Sequence, residues 1–433
     1  MRTKWRTLHS LLLATAILLC VSSPAFSTDE LPSPFCSKLT TGQYQAGFET
    51  IEKFDHSRVF RDKYDYDGNP REGETARPMQ ICVWYPAVAG PDALSMVYGE
   101  YAFPAPTDSR FYPFVTALQA REIGFLAAPF RGNRTLVLDM MNLPVAAVKN
   151  AGRAEGSFPL IIYHPDAGGS FAENAAMCEA LASNGFIVAT SHTFGTTDIP
   201  VMANQRDLET IIRDREFVYG VMRDYPNVDL TKVGLIGTGL GGLSAMLMQM
   251  RNTDIEAVAV LDGSDAYKEG VELAKSSTSF DISRMDVPSL HMYVSDHESL
   301  DLSLLDSLVY SERFTLGFTG RNRFHFSQYA TAVTHFTDTT GELFQSASEF
   351  YDAVCGGVTE FFDIFLKGAD LSATIFADFA PEKYPQFGEV TYEASDRQTP
   401  PPTEAQFVEM IQENKIDRAV EIYEALKESR PCL

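Results

Sequence analysis

Basic residues are scarce in this chain: 35 Lys and Arg stand against 58 Asp and Glu, a formal net charge of −23. A surface so acidic repels phosphates and anionic headgroups at long range, which excludes nucleic acid as an expected partner. Cysteine is sparse and widely spaced. Cys20, Cys36, Cys82, Cys178, Cys355 and Cys432 match no zinc-binding spacing, and no metal is expected. Long apolar runs are lacking as well. After Val21 no stretch is long and apolar enough to cross a bilayer, so the chain is not expected to span a membrane.

The one apolar run near the start has a different shape. Arg2, Lys4 and Arg6 form a basic n-region, Leu11 to Val21 an apolar h-region, and Ala25-Phe26-Ser27 a small-x-small cleavage site. This predicts a signal peptide over residues 1–27 and a secreted or periplasmic protein. Cleavage would remove three basic groups and no acid, taking the charge from −23 to −26. Five cysteines would remain, an odd number that permits at most two bridges and leaves their pairing open.

At 433 residues, with 45% apolar and 12% aromatic content, the chain has room for one large domain and an appendage. Gly47–Phe60 and Pro78–Ala87 read as opening strands. Residues 91–150 are Pro- and aromatic-rich, then helical in pattern (114–125 and 136–151), and fit a lid-like covering insertion better than a sheet. Apolar runs suited to buried parallel strands follow at 158–163, 186–190, 233–236, 258–261, 288–294 and 314–317, with helical patterns at 173–183, 206–223 and 243–250. The alternation predicts an α/β fold: a mostly parallel doubly wound sheet with helices on both faces, spanning residues 28–394 and closed by a helix at 351–367. A Pro-rich linker at 395–403 leads to a helical hairpin at 404–433 that resembles one tetratricopeptide unit.

The chemistry centres on V-G-L-I-G-T-G-L-G-G, Val233 to Gly242. Gly237, Gly239 and Gly242 fit G-x-G-x-x-G between a strand and a helix, with Asp262 beyond, as a dinucleotide-binding oxidoreductase would have it. The same residues fit the nucleophile elbow G-x-S-x-G with Gly237 and Gly241 as its outer glycines. That register wants serine at 239, and the chain has glycine. Two strand-helix units precede the turn, whereas a dinucleotide fingerprint normally opens its domain. His164 to Gly169 ends the first parallel strand, where hydrolases carry an oxyanion loop. Asp262 ends the strand after the elbow, and His325 follows a late strand in R-N-R-F-H-F-S-Q-Y. Elbow, acid, histidine is the hydrolase order.

With these motifs, together with Asp55-His56-Ser57-Arg58, V-W-Y-P-A, L-A-S-N-G-F-I-V-A and V-L-D-G-S, residues 45–370 resemble the α/β-hydrolases grouped with platelet-activating-factor acetylhydrolases and dienelactone hydrolases. The resemblance implies Asp262 as triad acid, His325 as base and the backbone N–H groups of Asp166 and Leu240 as oxyanion hole. It also implies a small ester or lipid-like ligand and no cofactor. Two departures stand out: Pro165 replaces a loop glycine and Gly239 replaces the serine.

Glycine supplies no oxygen, so no acyl-enzyme can form at 239. Thr238 and Ser244 are poorly placed to substitute, because attack geometry is demanding. Of the other histidines, His291 and His335 fall in packing positions, and His192 could face the same pocket. Three readings follow. The chain is an exported member degenerate at the nucleophile and binding a ligand, an unusual hydrolase with water activated by His325 and Asp262, or a dinucleotide-binding oxidoreductase. On the elbow register, Gly239→Ser would place a hydroxyl within reach of His325.

Overall fold

The structure is a computed structural model that describes residues 42–399, apart from residues 65–66, 71, 89, 91–94, 168–169, 198–199, 378, 380 and 384, together with Val420 and Tyr423. The predicted signal peptide, most of the Pro-rich linker and the C-terminal hairpin lie outside the described residues.

Two long strands open it, β1 (Gln45–Val59) and β2 (Ala76–Val88), paired antiparallel from Gln45↔Ala87 to Asp55↔Arg77. β2 shows how one strand serves two cores. Cys82 and Trp84 point into one apolar cluster, while Ile81, Val83 and Tyr85 point into the other, as period-2 alternation requires.

The segment expected as a covering insertion is only partly one. It holds β3 (Ser95–Val97), α1 (Gly99–Ala102), α2 (Tyr112–Ala127), α3 (Arg134–Met141) and β4 (Pro144–Lys149). The helical expectation for 136–151 is corrected in its second half. Asn142 ends the helix, and the β-branched, proline-led run P-V-A-A-V-K extends to pair with β1 in parallel. β3 joins β4 at the sheet edge, so both ends of the segment belong to the sheet.

After the short β5 (Gly152–Arg153), the chain alternates as expected. The elements are β6 (Phe158–His164), α4 (Ala175–Ser183), β7 (Ile187–Ser191), α5 (Gln205–Met222), β8 (Val228–Thr238), α6 (Leu240–Gln249) and β9 (Ile255–Leu261). Then come α7 (Lys268–Ser276), β10 (Ser289–Val294), α8 (Ser303–Asp306) and β11 (Arg313–Phe318). Two helices, α9 (Gln328–Thr337) and α10 (Glu342–Lys367), precede the edge strand β12 (Val390–Ser395), which pairs antiparallel with β11. That last strand was not expected, because half of V-T-Y-E-A-S is polar on its open side.

The sheet order is β12-β11-β10-β9-β8-β6-β7-β2-β1-β4-β3, with β6 to β11 mutually parallel. Helices α4 and α10 cover one face, and α5, α6 and α7 the other. Strands β6, β7, β10 and β11 are buried along their whole length, which explains their continuous apolar runs. The site lies at the C-terminal ends of β6, β8 and β9, the position where open α/β sheets bind ligands. Among the described residues no helix is long and apolar enough to cross a membrane, and no cluster of His, Cys, Asp and Glu could hold a metal ion.

Candidate active site

Gly239 joins β8 to α6 at φ +53°, ψ −125°, a backbone region that side chains make costly. Its carbonyl accepts from Gly242 N at 3.1 Å and Ser264 N at 2.9 Å, which ties the turn to the loop after β9. A Cβ at Gly241 would overlap the carbonyl oxygen of His164, so the chain end of β6 can pass the turn only where glycine stands. The strand, sharp turn and helix of an elbow are present.

The space above the turn is filled. A Cβ built at 239 would overlap the Asp166 carboxylate and come within 2.8 Å of its Oδ2. Asp166 reaches in from the loop after β6. Its Oδ1 accepts from Leu240 N at 2.8 Å and Ala167 N at 2.8 Å, and its Oδ2 pairs with Arg323 Nη1 at 2.8 Å. Both N–H groups expected as oxyanion donors have a carboxylate as neighbour. Leu240 N–H serves the Asp166 side chain, and Asp166 N–H is directed to the Glu173 carboxyl.

Asp262 follows the end of β9 at φ +45° and is buried. Its Oδ1 accepts from Tyr267 OH and, at 3.4 Å, from Val294 N; its Oδ2 lies 3.5 Å from Arg323 Nε. Burial raises the Asp262 pKa, opposed by Tyr267 and Arg323. The expected Asp262–His325 pair is not formed. His325 Nδ1 is turned into its own loop, 3.1 Å from Asn322 N and 3.0 Å from Asn322 Oδ1. The reason is local. Asn322 to Phe326 forms a single 3-10 turn with a reciprocal cap, so the imidazole satisfies the turn while Arg323, two residues earlier, reaches the carboxylates. Burial and the neighbouring Arg321 lower the His325 pKa.

The arrangement is thus a chain of carboxylate, guanidinium and carboxylate: Asp166, Arg323, Asp262. Arg323 is half exposed at its side chain, and its pKa is raised because the two carboxylates outweigh its burial. Beneath it Glu173 accepts from Tyr163 OH and Thr238 Oγ1, each at 3.0 Å. Burial, with the Asp166 charge adding to it, pushes the Glu173 carboxyl up to about 7. A cavity of about 190 Å³ opens here, lined by Asp166, Glu173, Thr238 and Arg323 and walled by Phe125, Leu261, Phe324 and Phe326. Phe125 comes from α2, so that part of the insertion does cover the cleft. A second hollow of about 490 Å³ lies across Arg323 and Phe324, with Asp262, Tyr267 and His297 on its walls.

The remaining candidates are structural. Ser244 is buried with its Oγ 2.7 Å from His164 Nδ1, and Thr238 is spent on Glu173. His192 is buried against Phe171 and does not line the cleft cavity. His291 pairs with buried Asp265 at 3.0 Å. Cys82, Cys178 and Cys355 are buried free thiols.

Sequence reasoning missed Arg323, Tyr267 and Glu173, and it read Asp166 only for its backbone. The signal was present in the R-N-R doublet before the histidine and in an acid following Pro165, where a glycine-type oxyanion loop carries no charge.

This is an α/β-hydrolase fold. No protein-family model and no curated protein matches the chain by sequence. Among solved structures it is similar to the ferulic acid esterase from Streptomyces cinnamoneus, with a TM-score of 0.54 at 17% identity, covering 85% of this chain and 98% of that one. The likeness is one of fold.

Proposed function

We propose that this is an exported relative of carboxylic-ester hydrolases that has lost serine-type turnover and holds a small ligand in the old cleft. The observation that carries the reading is the Asp166 carboxylate, which occupies the space of the missing nucleophile and uses the Leu240 N–H that an oxyanion would need. Electrostatic stabilisation of a developing oxyanion depends on preorganised donors that are free to take it. Here a resident anion already satisfies the donor. Export rests on the N-terminal leader pattern alone.

Hydrolysis through water on His325 has less support, since Asp262 spends its oxygens on Tyr267, Val294 and Arg323. The dinucleotide reading needs a pyrophosphate on the same Leu240 N–H and competes with Asp166 for it. A thermal-shift titration with NAD, NADP and FAD tests it, and no response is expected.

The main test is turnover of p-nitrophenyl acetate and of a ferulic acid ester, the latter chosen because the structural neighbour is by name a ferulic acid esterase. Purified protein should run at background, equally with His325→Ala, and stay unlabelled by a fluorophosphonate probe. Turnover above background that is lost in His325→Ala would overturn the reading.

A further inference from the structure

The group now seated over the elbow is itself chemical information. A carboxylate sits there, and its contacts form a donor set: the first N–H of the ten-residue helix α6, a loop N–H, and a guanidinium, each at 2.8 Å. Backbone N–H groups at a helix start favour an anion, and Arg323 adds a charge-assisted contact through Nη1 while its Nε faces Asp262. Asp166 is therefore a tethered copy of what the set binds.

The volume beside it says what the rest of such a ligand would be. The cavity of about 190 Å³ shares Asp166 and Arg323 with this donor set, and its other walls include Phe125, Leu261, Phe324 and Phe326. An apolar cavity on the order of 150 Å³ holds one benzene ring. One ring with a short arm therefore fits, its acid end at the Arg323 side, and a long acyl chain does not. Charge allows the exchange. A ligand carboxylate that replaces the Asp166 carboxylate takes over its contact with Arg323 while the displaced side chain turns toward solvent, whereas a ligand added alongside Asp166 would put a further anion on one guanidinium.

We infer that the cleft binds a small aromatic monocarboxylate, whose acid group displaces the Asp166 side chain from the Leu240 N–H and pairs with Arg323. This deepens the ligand-binding reading proposed above and rests on it. Asp166 acts as a built-in competitor. A bound ligand must first displace an intramolecular group whose effective concentration is high, so affinity in the natural protein is weak and removal of an acid strengthens it.

The experiment is calorimetric titration of the purified protein with 3-phenylpropanoate and with its neutral amide. Asp166→Ala should bind the acid at least tenfold more tightly than the natural protein, with little change for the amide. Asp166→Ala/Arg323→Gln should lose that gain. Asp166→Ser serves as a second variant that empties the same space should the alanine protein melt early. Equal acid affinity in the natural and Asp166 variants, or an equal gain for the amide, overturns the inference. Ester turnover by the natural protein would defeat the underlying reading instead, whatever the binding data. A protein that neither turns over esters nor binds the acid would defeat this inference alone.

Discussion

The Asp166 carboxylate occupies the space that a side chain at Gly239 would need. The two features support each other. Glycine at 239 leaves a hole over the N-terminus of α6, and an acid two residues past the end of β6 fills it with a charge the helix favours. A carboxylate with three charge-assisted or backbone partners is well held. The space that a side chain at 239 would take is held by another residue.

Restoring serine alone should therefore fail. Gly239→Ser must displace Asp166 from two backbone N–H groups and place a side chain at φ +53°. The combined cost is about 2–6 kcal/mol, because both backbone strain and overpacking contribute. The imidazole would also lack its acid partner, since His325 Nδ1, the nitrogen that should face Asp262, is held by Asn322. The expected outcome is a lower melting temperature and no fluorophosphonate labelling, in Gly239→Ser and in Gly239→Ser/Asp166→Gly alike. Labelling of the single variant would mean that His325 swings to Asp262 readily.

Two buried acids set a pH dependence of stability. Glu173 and Glu122 are each pushed from 4.5 up to about 7, chiefly by burial. Glu173 faces Asp166, Tyr163 and Thr238; Glu122 faces Arg121, Tyr329 and Ser170. Their folded pKa values exceed the unfolded ones, so the native state binds more protons between these limits. Stability is then fullest below about 4.5 and falls as pH rises through about 7, by about 3 kcal/mol per group once ionised. Glu173→Gln or Glu122→Gln should flatten denaturation midpoints measured between pH 5 and pH 8 (a range chosen to straddle the shift). An unchanged slope in both variants would show that neither carboxyl titrates in that window.

The sheet was legible because buried parallel strands write themselves as uninterrupted apolar runs, and the turn was legible because Gly237, Gly239 and Gly241 stand at fixed offsets from one. The positions of Asp262, His325, Asp166 and Leu240 at strand ends followed from element order. What sequence did not disclose was side-chain direction. One residue separates Arg323 from His325 in one short turn, and which of them faces Asp262 depends on the cap made by Asn322. β4 was misread because a short strand with alanines carries a weak period. Asp55-His56-Ser57-Arg58, read as a family mark, is a brace: Asp55 binds Ser57 and Arg58, and Arg58 pairs with Asp214.

That brace supports a stability prediction remote from the cleft. Arg77 on β2 is buried, pairs with Asp214 on α5 at 2.5 Å, and donates to the carbonyls of Phe194 at 3.0 Å and Gly195 at 2.8 Å. Removing Arg77 leaves two carbonyls unsatisfied and Asp214 with Arg58 as its remaining cation. Arg77→Met should cost about 3–5 kcal/mol in chemical denaturation, while Arg77→Met/Asp214→Leu should recover part of that loss. A single-variant loss below about 1 kcal/mol would mean that Arg58 alone satisfies Asp214.

The identity of the partner of Asp262 can be decided by double-mutant cycles. Arg323 Nε lies 3.5 Å from Asp262 Oδ2, whereas His325 is bound within its own loop. Residues in contact couple in such cycles, and residues that share no partner add. Arg323 is half exposed, so its coupling to Asp262 is discounted to about 1 kcal/mol. Asp262→Asn with Arg323→Gln should therefore be non-additive by that amount at neutral pH. The term should shrink as pH falls toward 3.8, because burial raises the Asp262 pKa above that value and the acid takes up a proton. Asp262→Asn with His325→Ala should add to within about 0.5 kcal/mol. The opposite pattern, coupling to His325 and none to Arg323, would return the imidazole to the acid and reopen the cleft to hydrolysis.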